Sequence, residues 1–133
     1  MEDVVIMERT VNEVRFPAMR AEVVGAIRAL SDQDYQWSAW IRRELPAGHY
    51  DEFTHRIHIL YDDTDVMENP EGSVGNYLRS PREAIAIRKL GSALDTLFQQ
   101  LGTERTDEEY LQAPGWRSVV DAAKAALQVL EEP

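Results

Sequence analysis

Two of the chain's three histidines lie in the stretch DEFTHRIHILYDDTD, residues 51–65, as a His55-x-x-His58 pair with carboxylates on either side. Imidazole nitrogens and carboxylate oxygens are the ligands that a divalent metal takes at about 2 Å. On a helix turning about 100° per residue, Asp51, His55, His58 and Asp62 stand at i, i+4, i+7 and i+11 and share one narrow stripe. That is where the ligands of a metal-dependent hydrolase would have to be. Phe53, Ile57, Leu60 and Tyr61 fall on roughly the opposite side, so burying them turns the histidine stripe outward. One exposed helix face rarely holds zinc, and His49 or a carboxylate from residues 63–71 would have to complete the shell. The stripe therefore reads first as a solvated face with Asp–His pairs at i,i+4, which add a few tenths of a kcal/mol. Metal ligation is the alternative.

Acid is concentrated in the same region. Residues 51–71 hold seven carboxylates against one cation, Arg56, and so account for six of the chain's ten net negative charges. Asp62, Asp63, Asp65, Glu68 and Glu71 crowd into ten residues, a candidate contact surface for a basic partner. A calcium loop starting at Asp63 would need an oxygen ligand where Met67 stands and glycine where Glu68 stands. Gly72-Ser73-Val74-Gly75 is too short for a phosphate-binding loop and lacks a following lysine; it reads as a turn. No serine lies in a G-x-S-x-G or S-x-x-K setting. Trp37, Trp40 and Trp116 sit at helical core spacing and read as interior residues.

Helices must position these groups. Val23, Val24, Ile27 and Leu30 recur at three and four residues behind Pro17, predicting a first helix over 17–30. Ser31 or Asp32 can cap a second over 32–45, with Trp37, Trp40, Ile41 and Leu45 on one side before Pro46 and Gly48. The third, over 50–62, carries the histidines. Ser80-Pro81-Arg82-Glu83 predicts the next start, with a cap serine, proline at the first helical position and a glutamate reaching back. That helix runs to Gly102, which suits a helix end. Thr106-x-x-Glu109 is a second capping box for a short turn through Leu111. Trp116, Val119, Val120, Ala123, Leu127 and Leu130 place a last helix over 115–131. The expectation is an all-α protein: a compact single-domain bundle of about five helices over 17–133, preceded by a short extended N-terminal arm, 1–16.

The 133 residues, 44% apolar and 29% charged, suit one globular domain able to bury a core. With no cysteine, disulfides and thiolate chemistry are excluded, and a reducing cytoplasm is the simplest setting. The longest apolar run near the N-terminus is Val4 to Met7, far short of a signal-peptide core or a membrane span. A net charge of −10 with no basic cluster argues against nucleic acid. No cofactor is implied.

Phe16-Pro17 with Arg20, the run Arg28 to Asp32, Trp40, Val74-Gly75, Leu78-Arg79, Glu83-Ala84, Tyr110-Leu111, Pro114-Gly115-Trp116, Val119 and Ala122-Ala123 together resemble a family of small, acidic, uncharacterised helical proteins found mainly in actinobacteria. The resemblance implies a helical fold and brings no catalytic or binding residues with it. Neither the histidine stripe nor Asp62–Asp65 belongs to that pattern. Composition and charge together favour a non-enzymatic domain that binds a protein, in its more specific form an immunity- or antitoxin-like inhibitor of a basic partner. The metal-dependent hydrolase is the rival.

Overall fold

A computed structural model describes residues 13–132, and these are almost entirely helix and turn, with no strand among the described residues. Six helices follow in order: α1, Pro17–Ser31; α2, Gln33–Tyr35 running directly into a π-helical stretch, Gln36–Ile41; α3, Phe53–His58 running into a second π stretch, Ile59–Asp63; α4, Pro81–Leu101; α5, Asp107–Gln112; and α6, Trp116–Leu130. The all-α expectation holds. None of these helices is long and apolar enough to cross a membrane. Residues 1–12 of the expected arm lie outside the described residues. At its end, Arg15 and Phe16 donate their backbone N–H groups to the carbonyls of Gly75 and Asn76, and Val14 is buried.

The packing centre is α6, which contacts α1 and α4 more extensively than any other helices contact each other. Val119, Val120, Ala123 and Ala126 are fully buried, and the small alanines let two neighbours approach one helix. Trp40 and Trp116, both 1% exposed, meet edge-to-face at 6.4 Å, and Phe53 lies 5.1 Å from Trp116. Trp37 is only half-buried at the edge of the core.

Caps set most of the boundaries. Asp32 accepts from the Tyr35 N–H at 3.0 Å. Thr106 and Glu109 form the reciprocal box, at 3.2 and 3.0 Å. Ser80 accepts from the Glu83 N–H at 3.3 Å, but Glu83 does not close a box on Ser80. Its carboxylate takes the Arg79 N–H at 2.6 Å and a bidentate pair of bonds from Arg20 at 2.8 and 2.9 Å. Arg20 also donates to the carbonyls of Tyr77 and Leu130. This buried pair ties the starts of α1 and α4 to the end of α6. Gly102 ends α4 with φ +78° and ψ −174°, an extended region open essentially to glycine alone rather than the left-handed helical one.

Two expected boundaries move. The second helix stops at Ile41 rather than 45, because Arg43 takes φ +57° and the chain reverses there. Glu44 closes the end: its N–H reaches the Ser38 carbonyl at 2.9 Å, and its carboxylate accepts from Ser38 and Arg42. The third helix starts at Phe53 rather than 50, which leaves Asp51 in the preceding loop.

Candidate functional site

Asp51 overturns the four-residue stripe. It is 3% exposed and points into the protein, where its Oδ2 accepts from the Tyr35 hydroxyl at 2.6 Å, the Trp40 indole N–H at 2.8 Å and Arg56 Nε at 3.1 Å. Its backbone carbonyl accepts from Arg43. The helical spacing failed here because residue 51 is not on the helix. His55, His58 and Asp62 do lie outward and exposed, and His58 Nδ1 pairs with Asp62 at i,i+4. Among the described residues no group of three or more His, Asp or Glu side chains is placed to hold a metal ion. His58 and Asp62 form an exposed pair with His55 exposed beside them, while Asp51 braces the interior.

The Asp51 cluster has a clear electrostatic signature. Burial, then the hydrogen bond to Asp51, raises the Tyr35 hydroxyl above its ordinary value. The Arg56 guanidinium is held above its usual value because its contacts with Tyr35 and Asp51 outweigh burial, the largest single effect and an opposing one. Nearby, Asp107 accepts the Phe53 N–H at 3.1 Å and so satisfies the first donor of α3 from a distant segment. Burial pushes its carboxyl above the usual range.

Residues 62–73, from the end of the α3 π stretch through a loop to a 3-10 turn at Glu71–Ser73, form an anchored segment. Thr64, Val66, Pro70 and Ser73 turn inward, while Asp62, Asp63, Asp65, Glu68 and Glu71 turn outward. Thr64 Oγ1 donates to the Ile59 carbonyl at 2.9 Å, Met67 N to Leu60 O at 3.2 Å, Asn69 N to Asp65 O at 2.8 Å, and Ser73 Oγ to Asn69 O at 2.8 Å. The backbone that carries the five acids is therefore held, but the acids are not equivalent. Glu71 is bound by Arg88 on α4, whose hydrogen bonds hold the Glu71 carboxyl below the usual carboxylate range. Asp63, Asp65 and Glu68 have no salt-bridge partner among the described residues, and Asp62 has only His58.

The tertiary fold adds groups to this face that sequence spacing did not indicate. Asp95 on α4 comes beside Tyr61 and Glu68 in a cleft of about 460 Å³ that Arg88 also lines. Burial, and then the Asp95 charge, push the Tyr61 phenol up to about 12, and its buried hydroxyl has no hydrogen-bond partner among the described residues. Tyr61 also lines a second cavity, of about 420 Å³, together with Phe53, Ile57, Phe98 and Tyr110 and with the exposed His58 and Asp62. Nothing in the local spacing around Phe98 or Tyr110 marks either as a cavity residue. No local pattern could show that α3, α4 and α5 leave a gap between them.

A family model described as a domain of unknown function, DUF7945, matches residues 14–133. No curated protein and no solved structure matches the chain.

Proposed function

For this chain, which belongs to the DUF7945 family of unknown function, we propose a non-catalytic role: binding a basic protein partner on the acidic face formed by the end of α3 and the segment after it. The observation that supports this reading is the outward placement, on a held backbone, of Asp62, Asp63, Asp65 and Glu68, which form no salt bridge with an arginine or lysine among the described residues. Like charges held close together repel, and water and salt screen them only in part. A cationic surface docking there relieves that repulsion and is steered to the site by it. The specific form we favour is an immunity- or antitoxin-like inhibitor acting in the cytoplasm, with a small basic toxin as its target.

Capture of partners from the native host on the immobilised protein, followed by association kinetics, tests this reading. The association rate should fall steeply between about 0.05 and 0.5 M salt, as the screening length drops below the spacing of the charges. Replacing Asp62, Asp63 and Asp65 together by Asn should slow association more than it speeds dissociation. Binding that ignores both changes would move the interface elsewhere, toward Tyr77–Arg79 and the exposed side of α4.

A further inference from the structure

The cavity between α3, α4 and α5 holds about 420 Å³, near the small end of the roughly 300–1,000 Å³ typical of ligand clefts. That is room for one large side chain. Its floor is a three-ring cluster, with Phe53–Tyr110 centroids 5.0 Å apart, Phe98–Tyr110 6.0 Å and Phe53–Phe98 6.1 Å. The Tyr110 hydroxyl is committed to the Gly102 carbonyl at 2.7 Å, and Phe53 and Tyr110 are themselves 2% and 3% exposed, so they back the cavity while the half-buried Phe98 presents the open ring surface. Ile57 and Tyr61 extend the apolar lining.

Charge selects the occupant. No lysine or arginine lines this cavity. Asp62 stands on its rim, and Asp63 and Asp65 follow it, exposed, along the anchored segment. An apolar pocket beside a charged rim is the anatomy of a protein contact, with a desolvated anchor at the centre and charges around it. An aromatic or long aliphatic side chain would replace water against Phe98, Ile57 and Tyr61, and a neighbouring cation would meet Asp62 and the acids that follow it. A segment with acidic flanks would be repelled.

We propose that this cavity is the anchor pocket for the basic partner, receiving one aromatic or long aliphatic side chain that is flanked in its own chain by lysine or arginine. The proposal rests on the acidic-face reading above and adds a second determinant to it, one that is independent of charge.

Amide chemical shifts of the full chain, followed during titration with three peptides, test it. The probes are acetyl-Gly-Lys-Phe-Arg-Gly-amide, the same peptide with alanine for phenylalanine, and the same peptide with glutamate for both lysine and arginine. The first should shift the amides of Ile57, Phe98 and Thr103. The alanine peptide should bind at least about ten-fold more weakly, as loss of a buried ring requires, and the glutamate peptide should not bind over the same range. Thr103→Trp, at an exposed loop position on the pocket mouth, leaves the net charge unchanged and should weaken the first peptide by about ten-fold.

Equal binding of the phenylalanine and alanine peptides would overturn the anchor pocket while leaving the acidic face standing. Equal binding of the glutamate peptide would overturn the basic flank. Absence of any shift with the first peptide at millimolar concentration would overturn the proposal as a whole. A concentration-dependent dimer in sedimentation, dispersed by Thr103→Trp, would assign the pocket to a second copy of the chain and overturn it as well. Failure of the acidic-face reading has a different signature: the triple Asn variant would bind the first peptide as tightly as the parent.

Discussion

Replacing Asp51 separates a buried brace from a surface acid by a margin that is easy to measure. In the structure Asp51→Ala removes the acceptor for three groups at once. The Trp40 indole N–H, in a ring 1% exposed, loses its partner; Tyr35 loses a bond of 2.6 Å; and Arg56 loses its counter-charge 3.0 Å away. Breaking a buried ion pair from one side costs about 3–5 kcal/mol, because the remaining charge is left uncompensated. The Arg56 side chain is 20% exposed, so water recovers part of its hydration and the expectation settles near the lower end, about 3–4 kcal/mol. Asp51→Asn keeps an acceptor oxygen for Trp40 and loses mainly the charge, and should cost less, about 1–3 kcal/mol. Urea unfolding followed by tryptophan fluorescence reads both variants. With a slope of about 1.5–2 kcal/mol per molar, the Ala variant should unfold at roughly 1.5–3 M less urea than the parent. A cost below about 1 kcal/mol, the range of exposed charges, would refute the assignment and put Asp51 back on the solvated stripe.

The complementary double variant His55→Ala/His58→Ala should stay within about 1 kcal/mol of the parent in the same assay, since an exposed pair contributes little. Arg20→Ala should cost about 3–5 kcal/mol by stranding Glu83, whereas Arg20→Met combined with Glu83→Leu should recover most of that loss, because an apolar pair replaces a buried ionic one at little net cost; a double variant as unstable as the single would show that the carbonyl contacts of Arg20 dominate. Trp116→Ala should cost about 3–5 kcal/mol, and a value under about 1 kcal/mol would mean that the ring is not part of the core. Tyr61, pushed from the ordinary 10.0 up to about 12, prefers its neutral form in the folded state. The stability it lends is therefore full below pH 10 and is lost as pH rises toward 12, because the unfolded chain ionises first. Phenolate absorbance should show a tyrosine titrating near pH 12 that Tyr61→Phe abolishes, while the raised Tyr35 remains.

Much of the helical skeleton follows from local chemistry. Ser80 with Pro81 and Gly102 bracket α4 because a side-chain acceptor, a ring that fixes φ and a residue tolerant of positive φ each act within a turn of their own position. Thr106 and Glu109 close their box for the same reason, and the apolar spacing of Trp116 through Leu130 needs only the helical period to be read. The acid concentration over 51–71 is likewise a property of composition alone. What the sequence could not decide is which groups meet across the chain. Arg20 finds Glu83 63 residues away, and the Trp116 indole N–H finds Gln36 80 residues away at 2.9 Å. Gln36 in turn spends its amide nitrogen on the carbonyls of Ala29 and Leu30. Such polar contacts leave no periodic trace, because side chains such as Arg20, Glu83 and Gln36 fall outside the apolar spacing that locates a core. The two π stretches, Gln36–Ile41 and Ile59–Asp63, compound the difficulty: each takes in an extra residue per turn, so faces counted at 100° drift once the chain passes through them. Asp51 was misplaced by a simpler route, as a three-residue error in a helix start carried it from an assumed outer stripe to the interior. The aromatic cavity beside Asp62 is likewise tertiary in origin: it exists because three helices, each with a legible apolar face, meet without filling the space between them.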